Sequence, residues 1–186
     1  MAMPVPHGLM TVEEYDALPE DNSARYELQE GVLIVSPRPL RKHQRAVIRL
    51  AAQLEQQLPD HWEALADFEV LVRGDDPATI RAPDVVVVPV DGSENRVPAS
   101  EAVLAVEIIS PGSRNVDRYL KPVEYADAGI PHYWLVDLDP PVPSITTFGL
   151  GAPGDGYVES QTATRELVVT EPFPLRIDID ALVSRR

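Results

Sequence analysis

The chain has 186 residues, a net charge of −14 and no cysteine. It is long enough to bury a hydrophobic core, but it cannot form disulfides, thiolate zinc sites or a cysteine nucleophile. The acidic charge also argues against a broad, nonspecific grip on nucleic acid.

The first ten residues, MAMPVPHGLM, lack the basic start and apolar run of a signal peptide. No stretch approaches the roughly 20 consecutive apolar residues that span a bilayer. We therefore expect a soluble cytoplasmic protein that makes no membrane contact. We expect a single domain over residues 1–186, with a core at about 11–139 and a C-terminal β extension at 140–186.

The N-terminal segment contains a helix signal followed by a hairpin signal. Thr11 and Glu14 form a capping box, which predicts a short helix that stops at Pro19. The segment ARYELQEGVLIVS predicts two strands that turn at Glu30 and Gly31.

Apolar residues at helical spacing predict a long helix over about residues 40–58, ended by Pro59. A basic cluster without an interrupting acid runs through its start: Arg38, Arg41, Lys42, Arg45 and Arg49. A solvated helix face is the more common explanation of such a cluster. The alternative is a phosphate-binding surface, because free backbone N–H groups at a helix start also favour anions.

Three apolar segments, ALADFEVLVR, APDVVVVPV and AVLAVEIIS, then predict consecutive strands of one sheet. Residues 115–128 are predicted to be helical and to end at Gly129, and HYWLVDLD predicts a further strand. Residues 102–138 would thus form a right-handed strand–helix–strand unit. The segments ITTFGL, GYVESQ and RELVVT predict a peripheral β meander. The fold class is α/β, with a mixed central sheet flanked by helices.

Two carboxylates in these strands are candidates for a metal site. Asp84 begins one apolar strand, and Glu107 lies near the end of another. If the strands pair antiparallel with residue 84 opposite residue 107, their α-carbons lie about 5 Å apart. Two carboxylates this close in an apolar setting need a proton or a cation between them, and Mg²⁺ or Mn²⁺ suits oxygen ligands. Taken alone, Asp84 is more typical of a turn, whereas a charge within a central strand such as Glu107 is unusual.

Lys121 is the third candidate. The chain contains 14 arginines but only two lysines, so a lysine in the helix after Glu107 is informative. Lysine supplies a compact charge that an arginine fork does not replace. It could orient a water or stabilise charge on a phosphorane, although an isolated helix lysine is usually solvated.

The motifs around these residues resemble the Uma-two family of restriction-endonuclease-like proteins. They are, in chain order, Y-E-L-x-x-G (26–31), S-P-x-x-x-x-x-H (36–43), R-x-P-D-V-V-V-V (81–88), E-I-I-S-P-G-S (107–113), D-R-x-x-K-P-x-x-Y (117–125) and A-G-I-P-H-Y-W-L-V-D (128–137). The resemblance runs from about residue 11 to residue 139. It implies a restriction-endonuclease-like core of the PD-(D/E)XK type that hydrolyses phosphodiester bonds with magnesium.

By this resemblance Asp84 and Glu107 are metal ligands. The usual lysine two residues after the second acid is replaced by Ile109, and its role passes to Lys121. Pro122, which starts or kinks a helix, leaves the direction of the Lys121 side chain open. Two further residues match family positions as supporting metal or substrate residues: Glu27, assigned to the metal, and His43, assigned to the substrate.

The leading hypothesis is a Mg²⁺- or Mn²⁺-dependent DNA endonuclease with Asp84, Glu107 and Lys121 as its catalytic residues. Its substrate-binding residues would be Arg41, Lys42, His43 and Arg45. The alternatives are an inactive nuclease-fold module that binds DNA or a protein partner, and an acid-pair glycosidase that needs no metal and no lysine. A homodimer is expected, because cutting both strands commonly needs two active sites. The four histidines show no zinc-ligand spacing.

Overall fold

The computed structural model describes residues 8–19, 21, 23–110, 112–139 and 141–184. The first seven residues, which include His7 and most of the segment considered for a signal peptide, lie outside this description. None of the described helices combines the length and the apolar composition needed to cross a bilayer.

The first part of the chain forms α1 (Val12–Asp16), β1 (Ala24–Gln29), β2 (Val32–Pro37), α2 (Arg41–Glu55), β3 (Trp62–Ala66), β4 (Glu69–Arg73), β5 (Thr79–Arg81), β6 (Val85–Pro89) and β7 (Arg96–Pro98). The second part forms β8 (Leu104–Ile108), a π-helical turn (Val116–Leu120), α3 (Lys121–Asp127), β9 (His132–Asp137), β10 (Ser144–Leu150), β11 (Tyr157–Thr164), β12 (Glu166–Val169), β13 (Leu175–Asp178) and α4 (Ile179–Val183). The described strands form a five-stranded sheet in the order β2-β1-β5-β4-β7 and a six-stranded sheet in the order β11-β10-β9-β8-β6-β3. A separate pair joins β12 and β13.

Local signals account for the first elements. The Thr11 side chain accepts the backbone N–H of Glu14, whose own side chain accepts the Thr11 N–H, so the predicted capping box is confirmed. The predicted hairpin is also confirmed, with Glu30 and Gly31 both at positive φ. A Cβ on Gly31 would lie 2.8 Å from the Cβ of Leu9, so the turn requires glycine for space as well as for conformation.

The six-stranded sheet is mixed, as predicted. β6 pairs antiparallel with β8, β8 pairs parallel with β9, and the chain crosses from β8 to β9 through α3. The predicted fold class is confirmed: the molecule is an α/β structure in which helices flank mixed sheets.

Successive side chains of β6 point to opposite faces of this sheet, and each face packs against a different hydrophobic core. Val85 and Val87 belong to a core with the apolar face of α2, the β12–β13 pair and α4. Val86 and Val88 belong to a second core, with residues of the five-stranded sheet and of α3. Glu107 points to the face with the second core. Its neighbours on the strand, Val106 and Ile108, point to the opposite face and belong to the first core with α2.

One strand prediction was wrong. The segment ALADFEVLVR, taken as a single strand, divides at Asp67, which has φ +55. β3 ends before this residue and joins the six-stranded sheet, whereas β4 follows it and joins the five-stranded sheet. The three apolar segments therefore do not all lie in one sheet. A left-handed residue in the middle of an apolar run breaks the pairing, and the run itself does not reveal it.

The C-terminal strands extend the six-stranded sheet to its edge. β10 pairs with β9, and β11 pairs with β10, as in the predicted meander, whereas β12 pairs with β13 instead. The predicted helix over residues 115–128 is a π-helical turn followed by α3, and it ends at Gly129 with φ +83.

Candidate functional site

The predicted antiparallel pairing brings Asp84 and Glu107 together. β6 and β8 pair with Val85 opposite Val106, and the same register places Asp84 opposite Glu107. Both side chains are buried, with relative exposures of 4% for Asp84 and 1% for Glu107. A pair of buried carboxylates at facing positions is costly without cations, so the neighbouring charges decide what the pair can do.

Asp84 is held by three donors. Its Oδ2 accepts the backbone N–H of Ile108 at 2.7 Å and lies 3.0 Å from Nε2 of His43. Its Oδ1 accepts Nη1 of Arg25 at 2.9 Å. Burial alone would raise the pKa of Asp84, but the hydrogen bond from His43 and the charge of Arg25 outweigh burial and lower it to about 2. Asp84 is therefore a carboxylate at neutral pH.

Glu107 has a different environment on the opposite strand. Its Oε1 accepts Nζ of Lys121 and the hydroxyl of Tyr125, each at 2.8 Å. Burial raises the pKa of Glu107 to about 8, although the nearby charge of Lys121 opposes this shift. The two facing acids thus have pKa values displaced in opposite directions, a pattern typical of functional sites.

Lys121 lies at the centre of the cluster and is itself buried. Its Nζ is 2.8 Å from Glu107, 3.2 Å from Oε1 of Glu27 and 3.9 Å from Oδ1 of Asp117. Burial disfavours the ammonium, but the charges of Glu107 and Glu27 outweigh burial and raise the pKa of Lys121 above its ordinary value. Lys121 is therefore a charged ammonium that lies among several acidic side chains.

Pro122 does not turn Lys121 away from this cluster. Lys121 has helical dihedral angles and continues directly from the π-helical turn into α3, with Pro122 in the first turn. Proline is well tolerated at such a position, where its missing N–H would have no partner inside the helix. The open question about the direction of the Lys121 side chain is thereby answered: it faces Glu107.

Glu27 joins the cluster from β1 in the other sheet. Besides Lys121, it contacts the backbone N–H of Ala82 at 3.1 Å and Nη1 of Arg81 at 3.2 Å. Arg81 is fully buried and also makes two hydrogen bonds of 2.8 Å with Glu124. Both oxygens of Glu27 are thus engaged by donors of the chain, and Lys121 connects it to Glu107.

His43 lies on the first turn of α2 and faces inward. Its Nε2 is 2.9 Å from the carbonyl oxygen of Ile108 and 3.0 Å from Asp84. Since both neighbours are acceptors, Nε2 carries a proton, while Nδ1 is buried without a hydrogen-bond partner in the described chain. Burial lowers the pKa of His43, but the hydrogen bond and charge of Asp84 outweigh burial and raise it.

The other basic residues predicted for substrate face outward. Arg41, Lys42 and Arg45, with Val183, line an open groove of about 620 Å³. Nζ of Lys42 donates to the carbonyl oxygen of Leu138 at 2.6 Å. The structure therefore separates His43, which contacts Asp84, from its three basic neighbours, which border the groove.

Comparison with known proteins identifies the family of the chain. The family model of Uma2, described as "Putative restriction endonuclease", matches residues 12–181. The chain belongs to the Uma2 family. The resemblance found in its motifs is thereby confirmed.

The Uma2 chain also resembles a solved structure from Anabaena variabilis ATCC 29413, described as "a putative nuclease belonging to DUF820". The TM-score is 0.68 at 20% sequence identity, and the match covers 94% of this chain and 97% of the other. At this identity the likeness shows a common fold. No curated protein matches the chain.

Several contacts of this Uma2 site were not foreseen from its sequence. Tyr125 and Asp117 lie four residues on either side of Lys121, and this spacing places all three on one face of a helical segment. Arg25 precedes Glu27 by two residues and so shares its face of β1. These spacings are visible in the sequence, but the contact of Arg25 with Asp84 depends on how the two sheets pack.

The donor set of the Uma2 chain suits Mg²⁺ or Mn²⁺ better than zinc. Among the described residues, no three His, Asp or Glu side chains form a ready-made metal site. Mg²⁺ commonly binds through one or two carboxylates, with waters and substrate phosphates completing its shell. Asp84 and Glu107 supply such a pair, and the residues fit the ion on the chemistry of their oxygens. Arg25 and Lys121, which contact these carboxylates, would then compete with the metal.

Proposed function

We propose that this Uma2 chain is a Mg²⁺- or Mn²⁺-dependent endonuclease that hydrolyses DNA phosphodiester bonds. The observation that carries the proposal is the facing buried pair of Asp84 and Glu107, with the Lys121 ammonium 2.8 Å from Glu107. A glycosidase would use two acids without this cation, so the same contact favours phosphoryl chemistry.

Asp84 and Glu107 would hold the metal. When bound, the ion supplies a water of lowered pKa and offsets negative charge on the scissile phosphate. The residues around the acids prepare them for this task. His43 and the Ile108 N–H fix the direction of Asp84, the charge of Arg25 helps to keep it ionised, and Tyr125 fixes Glu107. Glu27, which remains a predicted metal ligand, supports Lys121 by its charge.

Lys121 would act on the substrate directly. Its ammonium lies beside Glu107, where it can orient the attacking water or stabilise negative charge that develops on the phosphate. Because its pKa is raised, Lys121 is suited to electrostatic stabilisation and to hydrogen-bond donation, and unsuited to acting as a general base at neutral pH.

The groove at the start of α2 would bind the DNA backbone. Arg41, Lys42 and Arg45 gather positive charge in a chain whose net charge is −14. Such a local surface can hold phosphates flanking the cleavage point, while the remaining surface repels nucleic acid. His43 would contribute through Asp84 and not through the substrate. We further propose a cytoplasmic homodimer, because a cut in both strands needs two such sites.

One observation favours a second candidate, a catalytically inactive DNA-binding module. Each carboxylate already has a protein cation beside it, with Arg25 on Asp84 and Lys121 on Glu107. In such a module these ion pairs would be permanent, and the buried acids would serve the fold alone.

A nuclease assay on plasmid and single-stranded DNA separates these candidates. Wild type is compared with Asp84→Asn and Glu107→Gln, each checked for folding by circular dichroism, with and without Mg²⁺ or Mn²⁺. Arg176→Ala serves as a control on an exposed ion pair with Glu166. Metal-dependent cutting by wild type and Arg176→Ala, lost in both acid variants, supports the endonuclease. DNA binding without metal binding or cutting supports the inactive module.

A further inference from the structure

A second group of cations lies at the end of β9, supplied by the segment that leads into α3. Nη2 of Arg114 is 3.1 Å from Oδ2 of Asp139, and Nη2 of Arg118 is 2.9 Å from Oδ2 of Asp137. The proposed DNA-binding groove, centred on α2, includes neither arginine.

This second group of cations and the basic residues of α2 contact the same carboxylate, that of Asp139. Nζ of Lys42, on the first turn of α2, lies 3.3 Å from Oδ1 of Asp139, whose other oxygen contacts Arg114. The two basic segments are therefore neighbours at one rim, although they are some 70 residues apart in sequence.

Each basic segment also contributes one side chain that contacts a buried acid. On α2, His43 follows Lys42 directly and contacts Asp84. On the other segment, Lys121 follows Arg118 by three residues and contacts Glu107. The two groups of outward cations are thus carried by the same two segments that contact the carboxylate pair through His43 and Lys121.

The charge of this rim is opposite to that of the chain. The net charge is −14, yet five cations gather here: Arg41, Lys42, Arg45, Arg114 and Arg118. Three of them, Lys42, Arg114 and Arg118, form ion pairs with Asp137 and Asp139. Positive charge concentrated in an acidic chain indicates a polyanionic partner.

The existing ion pairs would not prevent this partner from binding. The side chains of Arg114, Lys42 and Asp139 are between 42% and 48% exposed, and ion pairs between such groups contribute little stability. A phosphate can replace a carboxylate beside an arginine fork, because both groups accept paired N–H donors.

We infer that Arg114 and Arg118 form a second arm of the DNA-binding surface, which contacts backbone phosphates next to those bound by Arg41, Lys42 and Arg45. Asp137 and Asp139 hold the cations of this arm in place until phosphates replace them. This inference rests on the proposed action on DNA and adds residues from a separate segment to the substrate site.

The test is a titration of labelled duplex and single-stranded DNA, followed by fluorescence anisotropy in EDTA to prevent cleavage. The variants are Arg114→Ala/Arg118→Ala, Arg41→Ala/Lys42→Ala as the positive control, and Arg176→Ala as the remote control. The salt dependence of binding falls by about 0.9 in log–log slope for each lost duplex phosphate contact. Both double variants are expected to lose between about one and two units of slope, and the remote control none.

The Asp139→Asn variant is expected to change DNA affinity in the opposite direction. This change removes one negative charge beside Lys42 and Arg114, so the variant is expected to bind DNA more tightly than wild type, a result that damage to the fold would not produce. If wild type binds DNA but Arg114→Ala/Arg118→Ala keeps its affinity and slope, the second arm is wrong and the endonuclease proposal survives. If wild type binds no DNA, both the second arm and the endonuclease proposal are wrong.

Discussion

Asp84 accepts the backbone N–H of Ile108 at 2.7 Å, and so it is tied to the residue that follows its facing acid, Glu107. This hydrogen bond joins the start of β6 to the end of β8. The proposed metal ligand is therefore also a structural connection between two central strands, and its removal should change stability as well as chemistry.

Replacement of Asp84 by alanine should lower the free energy of unfolding by about 3–5 kcal/mol, because the buried Ile108 N–H loses its acceptor and Arg25 keeps only its ion pair with the exposed Asp67. Asp84→Asn keeps an acceptor oxygen and should cost less. Urea denaturation in EDTA measures both. Asp139→Ala, a change to a half-exposed acid, should cost less than about 1 kcal/mol. Equal losses for Asp84→Ala and Asp139→Ala would contradict this assignment.

Replacement of Lys121 by methionine removes the ammonium that Glu27, Glu107 and Asp117 share. The metal-free variant should unfold at a lower temperature than wild type. Mn²⁺ restores positive charge near these acids, so it should raise the Tm of the variant more than that of wild type. Lys42→Met, at the other lysine of the chain, is the matched control and should respond as wild type does. An equal Mn²⁺ shift in all three proteins would count against metal binding here.

Arg25 and a metal ion would compete for the same oxygen of Asp84, since Nη1 already lies 2.9 Å from Oδ1. Arg25→Ala should therefore bind Mn²⁺ about tenfold more tightly, which corresponds to about 1.4 kcal/mol, while its stability in EDTA falls. Isothermal titration calorimetry measures the affinity, with Arg176→Ala as control. Weaker binding by Arg25→Ala would show instead that Arg25 holds Asp84 in position for the ion.

Glu107 should make metal binding depend on pH. Burial raises its pKa from 4.5 to about 8, so the folded metal-free protein favours the protonated acid. Its contribution to stability is complete below pH 4.5 and is lost as the pH rises to about 8. A metal ligand must be ionised, so Mn²⁺ affinity should increase up to about pH 8, with proton release, and then level off. Calorimetry in two buffers of different ionisation enthalpy detects the proton. Glu107→Gln should bind weakly and release none, and a flat profile in wild type would refute the role of Glu107.

Sequence patterns predicted the structure correctly where it depends only on neighbouring residues. The Thr11 capping box, the turn at Glu30 and Gly31, and the helix end at Gly129 follow from the chemistry of a few neighbouring residues. The pairing of Asp84 with Glu107 was also predictable, because two apolar strands joined by a short connection commonly lie side by side.

Sequence patterns did not predict the features that depend on tertiary packing. The three-residue strands β5 and β7 are too short for a periodic signal, and nothing in ALADFEVLVR marks Asp67 as left-handed. The ion pair between Arg25 and Asp84 was missed for a related reason. Arg25 belongs to one sheet and Asp84 to the other, and no spacing along the chain reports that contact.

The division of one apolar run at Asp67 has a consequence for folding. At Asp67 the chain leaves the six-stranded sheet, which contains Glu107, and joins the five-stranded sheet, which contains Arg25 and Glu27. A chain in which only the six-stranded sheet has formed brings Asp84 and Glu107 together, but it lacks the charges of Arg25 and Glu27 beside them. The surroundings of the two acids are completed only when the sheets dock, so the full set of opposing charges around this pair would assemble late in folding.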